Sequence, residues 1–325
     1  MPPITEPTFD AALRESLRSA VRAAADAARP LVGSGDGVAV DAAAVDALRV
    51  SLAAVPADLR VVSGEGEKDD APMLHPGERF GTGEGPALDL VVDPVDGTRL
   101  AASGRPGAMA IVAVTPRGSY ADLGPAFYLD KLVHARTPGM AAGPGLGLDL
   151  PVAENLARLA AALGRPVSSL RVAVQARPRN AAAADAVRAA GATLHAFEHG
   201  DIERVAHAAA PDGELDLLLG IGGAPEGLLE AAIVRAHGGV MLARFAPQSA
   251  EEAERLADFA AGPDPAAAEH GLSLDGGLAL ERLCAASALV VIAPVTACAL
   301  GPARAPLVLV DDDIADLVTA SLPVG

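Results

Sequence analysis

The sequence predicts an α/β fold, and three observations predict it. In the second half of the chain, short apolar runs alternate with longer helical patterns, which is typical of a sheet with helices on both faces. In the first half, two mostly apolar runs, 59–62 and 88–92, are each followed by an acidic segment. Residues 8–29 carry an apolar residue at every fourth position and end at a proline, which predicts an amphipathic helix.

The other elements follow from the same patterns. Asp41 stands before an alanine-rich helical stretch, where it has the residue type of a helix N-cap. A glycine- and proline-rich stretch before Leu150 predicts two domains, residues 1–150 and 151–325. Strands are predicted at 59–62, 88–92 and 109–114 in the first domain. The predicted order in the second is helix 154–163, strand 170–175, helix 180–190, strand 192–197, helix 201–209, strand 215–219 and helix 225–236.

Composition excludes several classes of partner. The net charge of −17 over 325 residues argues against a surface for nucleic acid or an anionic membrane. The chain has neither a hydrophobic N-terminal leader nor a long uncharged apolar run, so no membrane segment is predicted. Cys284 and Cys298 both stand in apolar surroundings and are interpreted as buried free thiols of a cytoplasmic protein. The seven histidines show no ligand spacing, so zinc is not expected.

The most informative motif is the segment from Asp93 to Thr98, Asp-Pro-Val-Asp-Gly-Thr. It places two carboxylates, a turn glycine and a hydroxyl directly after an apolar run. Acids at the carboxyl end of a strand can share divalent cations, and a Gly-Thr pair can open a helix whose free N–H groups receive a phosphate. Hydrolysis of a phosphate ester needs both metal charge and fixed donors. The motif therefore predicts phosphate chemistry.

A second acidic segment follows the run 59–62. It has four acids within six residues, Glu65 to Asp70. A charge run standing alone is usually a solvated loop. Beside the first motif, however, two acidic strand ends favour one shared cation site.

These motifs resemble one known family. The stretches are "GEGEKDDAPML" (64–74), "GERFGTGEGPALDLVVDPVDGTRLAASGRPGAMAIVAV" (77–114), "ARPRN" (176–180) and "GIGGAPEG" (220–227). The chain is similar over about residues 36–239 to class II fructose-1,6-bisphosphatases, which belong to the metal-dependent, lithium-sensitive sugar and inositol phosphatases. The resemblance implies a layered α/β/α/β/α sandwich with the site between its halves. It also implies a sugar bisphosphate substrate, two or more Mn²⁺ or Mg²⁺ ions, and a homodimer or homotetramer.

The resemblance also implies metal-binding and catalytic residues. Asp41 and Glu65 correspond to ligands of one cation, while Asp93, Asp96 and Glu226 correspond to ligands of another. Oxygen-only ligation suits Mg²⁺ or Mn²⁺. Thr98 resembles the threonine that orients the attacking water, and Glu67 and Asp69 resemble acids that assist it. Two structural alternatives stay open, namely N-capping by Asp41 and helix capping by Thr98.

The substrate-binding residues implied by the resemblance fall into three groups. Asp96, Gly97 and Thr98 would contact the scissile phosphate. The guanidinium groups of Arg177 and Arg179, on either side of Pro178, would hold the other phosphate. The expected contacts to the sugar come from Tyr128, His199, Gly200, Asp201 and Gly223. A solvated Arg-Pro loop and ordinary packing of Tyr128 remain the alternatives.

Two positions and one segment depart from the family pattern. Gly37 stands where the family usually has a lysine, His199 replaces an acid, and the chain beyond Gly239 matches poorly. None of these changes removes a predicted metal ligand. Metal-dependent hydrolysis of fructose 1,6-bisphosphate is therefore the leading prediction. The alternatives are the same chemistry on sedoheptulose 1,7-bisphosphate or another sugar or inositol phosphate, and a catalytically silent sugar-phosphate-binding protein.

Overall fold

The structure is a computed structural model, and it describes residues 9–64, 74–137, 144–261 and 277–297. The chain divides into two compact units. The first comprises Met1–Tyr120, His199–Glu203 and Ala286–Gly325, and the second comprises Ala121–Glu198 and Arg204–Ala285. The sequence-based division into domains of residues 1–150 and 151–325 stays a prediction.

The helices and strands alternate along most of the chain. The helices are α1 (Ala11–Ala28), α2 (Gly37–Leu52), α3 (Thr98–Ala102), α4 (Val152–Leu163), α5 (Ala181–Ala189), α6 (Asp201–Ala209), α7 (Ala224–His237), α8 (Ala250–Ala261) and α9 (Leu280–Leu283). The strands are β1 (Asp58–Ser63), β2 (Arg79–Phe80), β3 (Ala87–Asp96), β4 (Met109–Pro116), β5 (Tyr128–His134), β6 (Arg171–Gln175), β7 (Thr193–Phe197), β8 (Leu217–Gly223), β9 (Val240–Phe245), β10 (Leu278–Ala279) and β11 (Leu289–Pro294).

The first unit contains a five-stranded sheet in the order β11-β4-β3-β1-β2. β1 and β3 are parallel neighbours, and the other pairs are antiparallel. The amphipathic pattern at 8–29 forms α1, which Asp10 caps by accepting a hydrogen bond from Leu13 N at 2.8 Å. Leu13, Leu17 and Val21 are buried in a core shared with α2 and this sheet. The carboxyl ends of β1 and β3 therefore lie at the same edge, as the sequence predicts.

Two details of the first unit correct the sequence analysis. α2 begins at Gly37, because Asp36 is its N-cap and accepts a hydrogen bond from Ala39 N at 3.0 Å. Asp41 lies in the second helical turn, so the N-cap alternative for Asp41 is wrong. The strand predicted at 88–92 is longer than predicted, since β3 continues through Pro94 to Asp96 with a register shift between Asp93 and Asp96.

The second unit contains a six-stranded sheet in the order β10-β9-β5-β8-β6-β7. β6 is parallel to β7 and β8, whereas β5 is antiparallel to β8 and β9. On one face, Leu132 and Leu219 pack with residues of α4 and α5. On the other face, α7 approaches Leu129 so closely that a Cβ at Gly227 would lie 2.7 Å from Leu129 Cδ1. The α/β class, with helices on both faces of a sheet, is confirmed.

Two further sequence predictions concern the cysteines and membrane-spanning segments. Cys284 is buried, as predicted, whereas Cys298 lies outside the described residues. In the part of the chain that the structure describes, no helix is both long and apolar enough to cross a membrane.

Candidate active site

The segment from Asp93 to Thr98, where β3 ends and α3 begins, is held by hydrogen bonds from its own side chains. Asp93 Oδ1 accepts a hydrogen bond from Val95 N at 3.0 Å, and Thr98 Oγ1 donates one to Val95 O at 2.8 Å. Gly97 has φ 78°, a left-handed conformation that favours glycine. The N-cap of α3 is Gly97 and makes no side-chain capping bond, so helix capping by Thr98 is wrong. The hydroxyl instead fixes the turn that carries Asp96.

The beginning of α2 packs beside this turn. A Cβ at Gly37 would lie 3.4 Å from Thr98 Cγ2 and 3.9 Å from the Cβ of Ala102, so this face of α2 looks toward α3. Asp41 follows Gly37 by four residues and therefore lies on the same face, one turn further along. The fold thus directs Asp41 to the side of α2 that faces Thr98.

The carboxylates near this turn are poorly solvated. Asp96 is only 7% exposed. Desolvation by burial raises the pKa of Asp41 to about 6, and Asp41 Oδ1 is buried with no hydrogen-bond partner among the described residues. A buried carboxylate oxygen without a donor costs free energy unless a positive group offsets it. Oxygen donors of this kind suit Mg²⁺ or Mn²⁺, so the residues present fit a hard divalent cation.

The full predicted ligand set is not assembled in the described chain. Among those residues, no group of three or more His, Cys, Asp or Glu side chains is arranged to hold a metal ion. Glu65, Glu67 and Asp69 lie outside the described residues, in the segment that follows β1. Glu226 lies in the first turn of α7, in the second unit. The roles of these residues stay predictions.

Tyr128 and Arg179 contact each other where β5 begins and the chain leaves β6. The Arg179 guanidinium stacks on the Tyr128 ring at 4.7 Å from its centroid. Arg179 Nε donates to Ile221 O at 2.9 Å, and Nη2 donates to Gln175 Oε1 at 2.9 Å. Arg179 also borders a cavity of about 340 Å³. Arg179 is therefore held in place rather than being a mobile, solvated side chain, and it has open space beside it.

Asn180 holds the turn that carries Arg179, and the sequence analysis assigned it no role. Asn180 is 2% exposed, and its Nδ2 donates to Gln175 O at 3.1 Å and to Ile221 O at 3.0 Å. Ile221 N donates to Asn180 Oδ1 at 2.7 Å. These bonds join the end of β6 to the neighbouring β8. The only sequence signal was its place directly after Arg179 in the "ARPRN" motif.

The remaining predicted substrate residues stand at element ends. Arg177 precedes the 3₁₀ turn Pro178–Asn180, which links β6 to α5. His199 and Gly200 follow β7, and Gly200 has φ 81°. Asp201 is the first residue of α6 and is buried. Gly223 ends β8 and lies opposite Tyr128 in the strand register. Their contacts with a ligand stay predictions.

The protein is therefore an α/β protein that has poorly solvated carboxylates in its first unit and a fixed guanidinium in its second. A family model described as "Bacterial fructose-1,6-bisphosphatase, glpX-encoded" matches residues 11–298. The chain belongs to this family.

Two named relatives, from Escherichia coli and Haemophilus influenzae, agree with this assignment. The chain is 43% identical over 218 residues to fructose-1,6-bisphosphatase 1 class 2 of Escherichia coli strain K12, a match covering 66% of this chain and 62% of that protein. It is 39% identical over 264 residues to fructose-1,6-bisphosphatase class 2 of Haemophilus influenzae, covering 80% and 78%. A solved structure, an extragenic suppressor from Pyrococcus furiosus, aligns with a TM-score of 0.32 and 15% identity over 62% of this chain and 72% of its own. The match to the Escherichia coli protein spans about three fifths of that relative's length.

Proposed function

We propose that this protein is a divalent-metal-dependent phosphatase that hydrolyses fructose 1,6-bisphosphate to fructose 6-phosphate and phosphate. The observation that carries the proposal is the buried oxygen of Asp41, which has no hydrogen-bond partner among the described residues and lies on the face of α2 that looks toward Thr98. A carboxylate so placed is costly in a structural role and useful as a cation ligand. Membership of the bisphosphatase family supports the substrate.

The proposed catalytic roles are those that the resemblance to the family implies for each side chain. Bound Mn²⁺ or Mg²⁺ ions would offset the charge of the phosphoryl oxygens and lower the pKa of the attacking water. Thr98, already fixed by its bond to Val95 O, orients that water. Glu67 and Asp69 supply acid–base assistance. The carboxylates that hold the cations are Asp41, Glu65, Asp93, Asp96 and Glu226.

Substrate binding is divided between the two phosphates and the sugar. Asp96, Gly97 and Thr98 contact the scissile phosphate. Arg177 and Arg179, separated by Pro178, hold the second phosphate, and the fixed guanidinium of Arg179 needs little reorganisation to do so. The residues that contact the sugar are Tyr128, His199, Gly200, Asp201 and Gly223.

A second substrate is favoured by one observation. Gly37 faces Thr98 with only ordinary contacts, so this side of the turn carries no side-chain charge from position 37. Together with the imidazole of His199, this favours another phosphorylated sugar, such as sedoheptulose 1,7-bisphosphate, or an inositol phosphate. A catalytically silent sugar-phosphate-binding protein is the remaining alternative.

The test is a substrate panel. The chelator-treated protein is resupplied with Mn²⁺ or Mg²⁺, and phosphate release is measured from fructose 1,6-bisphosphate, sedoheptulose 1,7-bisphosphate, hexose monophosphates and inositol phosphates. The highest kcat/KM on fructose 1,6-bisphosphate supports the proposal. A higher value on another substrate supports the second function, and binding without turnover supports the silent alternative. Homodimer or homotetramer assembly and a cytoplasmic location belong to the same proposal, and sedimentation velocity tests the assembly.

A further inference from the structure

A fully buried ion pair joins β5 to α7 in the second unit. Lys131 is 1% exposed and Glu230 is not exposed, and Lys131 Nζ contacts Glu230 Oε1. Taking two opposite charges out of water costs about as much as their attraction returns, and apolar pairs of similar size are often as stable. The best-attested role of such a pair is to select one packing arrangement.

α7 needs such a selection because it is apolar on nearly all sides. Its buried residues are Ala224, Gly227, Leu228, Leu229, Glu230, Ala231, Ala232, Ile233, Val234 and Ala236. Hydrophobic burial is non-directional, so apolar side chains around the whole helix select its rotation only weakly. The ion pair between Glu230 and Lys131 is directional and favours one rotation.

The contacts between α7 and β5 occur in order along both elements. The site of a Cβ at Gly227 is 2.7 Å from Leu129 Cδ1, and Glu230 then meets Lys131 two residues further along β5. Glu226 precedes Glu230 by four residues, so the two carboxylates share one face of the helix. The rotation that places Glu230 on Lys131 therefore also fixes the direction of Glu226.

We infer that the Lys131–Glu230 pair sets the rotation of α7 on β5 and thereby positions the Glu226 carboxylate. Lys131 and Glu230 are positioning residues, and Glu226 is the group they position. The inference rests on the proposed function for the role of Glu226 as a cation ligand. The helix rotation itself is independent of that role.

The test replaces the pair by apolar residues, Lys131→Met with Glu230→Leu. The matched control, Asp130→Asn with Arg244→Met, removes an ion pair from the opposite face of the same strand. Three quantities are compared: the Tm of the cation-free protein, amide hydrogen exchange at residues 226–230, and Mn²⁺ affinity by calorimetry. For the Lys131/Glu230 double variant we expect an unchanged or higher Tm, exchange about tenfold faster, and Mn²⁺ affinity about tenfold weaker. The control keeps wild-type exchange and affinity.

The outcomes separate the inference from the proposed function. Wild-type exchange at residues 226–230 in the Lys131/Glu230 double variant overturns the inference, whatever the activity. Faster exchange in a protein whose wild type binds no Mn²⁺ and releases no phosphate supports the rotation and contradicts the function. Faster exchange with unchanged Mn²⁺ affinity overturns the positioning of Glu226.

A pair of single variants decides the question if the double variant does not fold. Glu230→Gln keeps an oxygen that Lys131 can donate to, whereas Glu230→Leu removes it. The inference predicts that Mn²⁺ affinity stays near wild type in Glu230→Gln and falls about tenfold in Glu230→Leu, although both lower the Tm. Equal Mn²⁺ affinities in the two variants contradict it.

Discussion

The carboxylate of Glu226 lies directly against the backbone of Gly223. A Cβ at Gly223 would overlap Glu226 Oε2 and lie 2.6 Å from Glu226 Cδ. Gly223 has φ −63° and ψ 143°, which any L-residue adopts without strain. Glycine is therefore required at this position by the carboxylate beside it and not by the backbone conformation.

Gly223→Ala is expected to displace Glu226 while leaving the fold intact. Because the backbone accepts alanine, the free energy of unfolding should change by only about 1 kcal/mol. The Mn²⁺ concentration for half-maximal phosphate release should rise about tenfold, since Glu226 is a proposed ligand. Gly277→Ala, whose Cβ would lie 3.8 Å from Ala243 O, is the control. An unchanged Mn²⁺ requirement in Gly223→Ala would exclude Glu226 from cation binding.

Asp41→Asn is expected to stabilise the cation-free protein and to lower its activity. Burial raises the pKa of Asp41 to about 6, so above that pH the cation-free folded protein holds an unfavourable charge. Asparagine keeps the shape without the charge, and the free energy of unfolding at pH 8 in chelator should rise by up to about 3 kcal/mol. Phosphate release should fall about a hundredfold.

Urea unfolding and an activity assay measure the two effects of Asp41→Asn. Asp46→Asn, an exposed position on the same helix, should change neither quantity. If Asp41→Asn instead lowers the free energy of unfolding of the cation-free protein, Asp41 has a structural role.

Arg179→Met is expected to act on substrate binding. The change removes the guanidinium that stacks on Tyr128 and donates to Ile221 O, while it keeps an unbranched side chain. The KM for fructose 1,6-bisphosphate should rise at least about tenfold, because a charge-assisted phosphate contact is lost, and kcat should change less. Arg188→Met, which removes an exposed arginine from α5, is the control. A fall in kcat at constant KM would contradict a binding role.

His237 is expected to make the protein less stable in acid. Desolvation by burial lowers the pKa of His237 to about 4. Between about pH 6.5 and pH 4 the unfolded chain binds more protons than the folded protein. Stability is therefore complete above about pH 6.5 and falls as the pH drops toward 4, by at most about 3 kcal/mol.

The variant His237→Gln tests this pH dependence. Urea unfolding at pH 7 and pH 4.5 should show a smaller loss of stability in His237→Gln than in the wild type. His75→Gln, at an exposed position, should behave as the wild type. Equal losses in all three proteins would exclude His237 as the cause.

The sequence analysis succeeded where local pattern and fold agree. The every-fourth apolar pattern of α1 and the apolar run 88–92 both became buried elements, because burial requires that periodicity. It missed the strands β2, β5, β9, β10 and β11 and the helices α8 and α9. β5 was not recognised because its run Tyr128–His134 includes Asp130 and Lys131, charges that are held by Arg244 and Glu230. Such partners are distant in sequence and therefore invisible to a local pattern.

The candidate site was also predictable in part. Asp93 and Thr98 fix their own turn through bonds within the motif, so a short segment contains the whole signal. The start of α2 was placed wrongly because Asp36 and Asp41 both have the residue type of an N-cap, and only the packing beside α3 distinguishes them. Asn180 was missed because its partner, Ile221, is 41 residues away.

The most direct test of the account compares the wild type with Asp96→Asn and the control Asp46→Asn. Each protein is treated with chelator, and phosphate release from fructose 1,6-bisphosphate is followed as Mn²⁺ is added. The account predicts release in the wild type and in Asp46→Asn only after Mn²⁺ is added, and a loss of at least about a hundredfold in Asp96→Asn. Release that does not depend on the metal, or that survives in Asp96→Asn, would contradict the account.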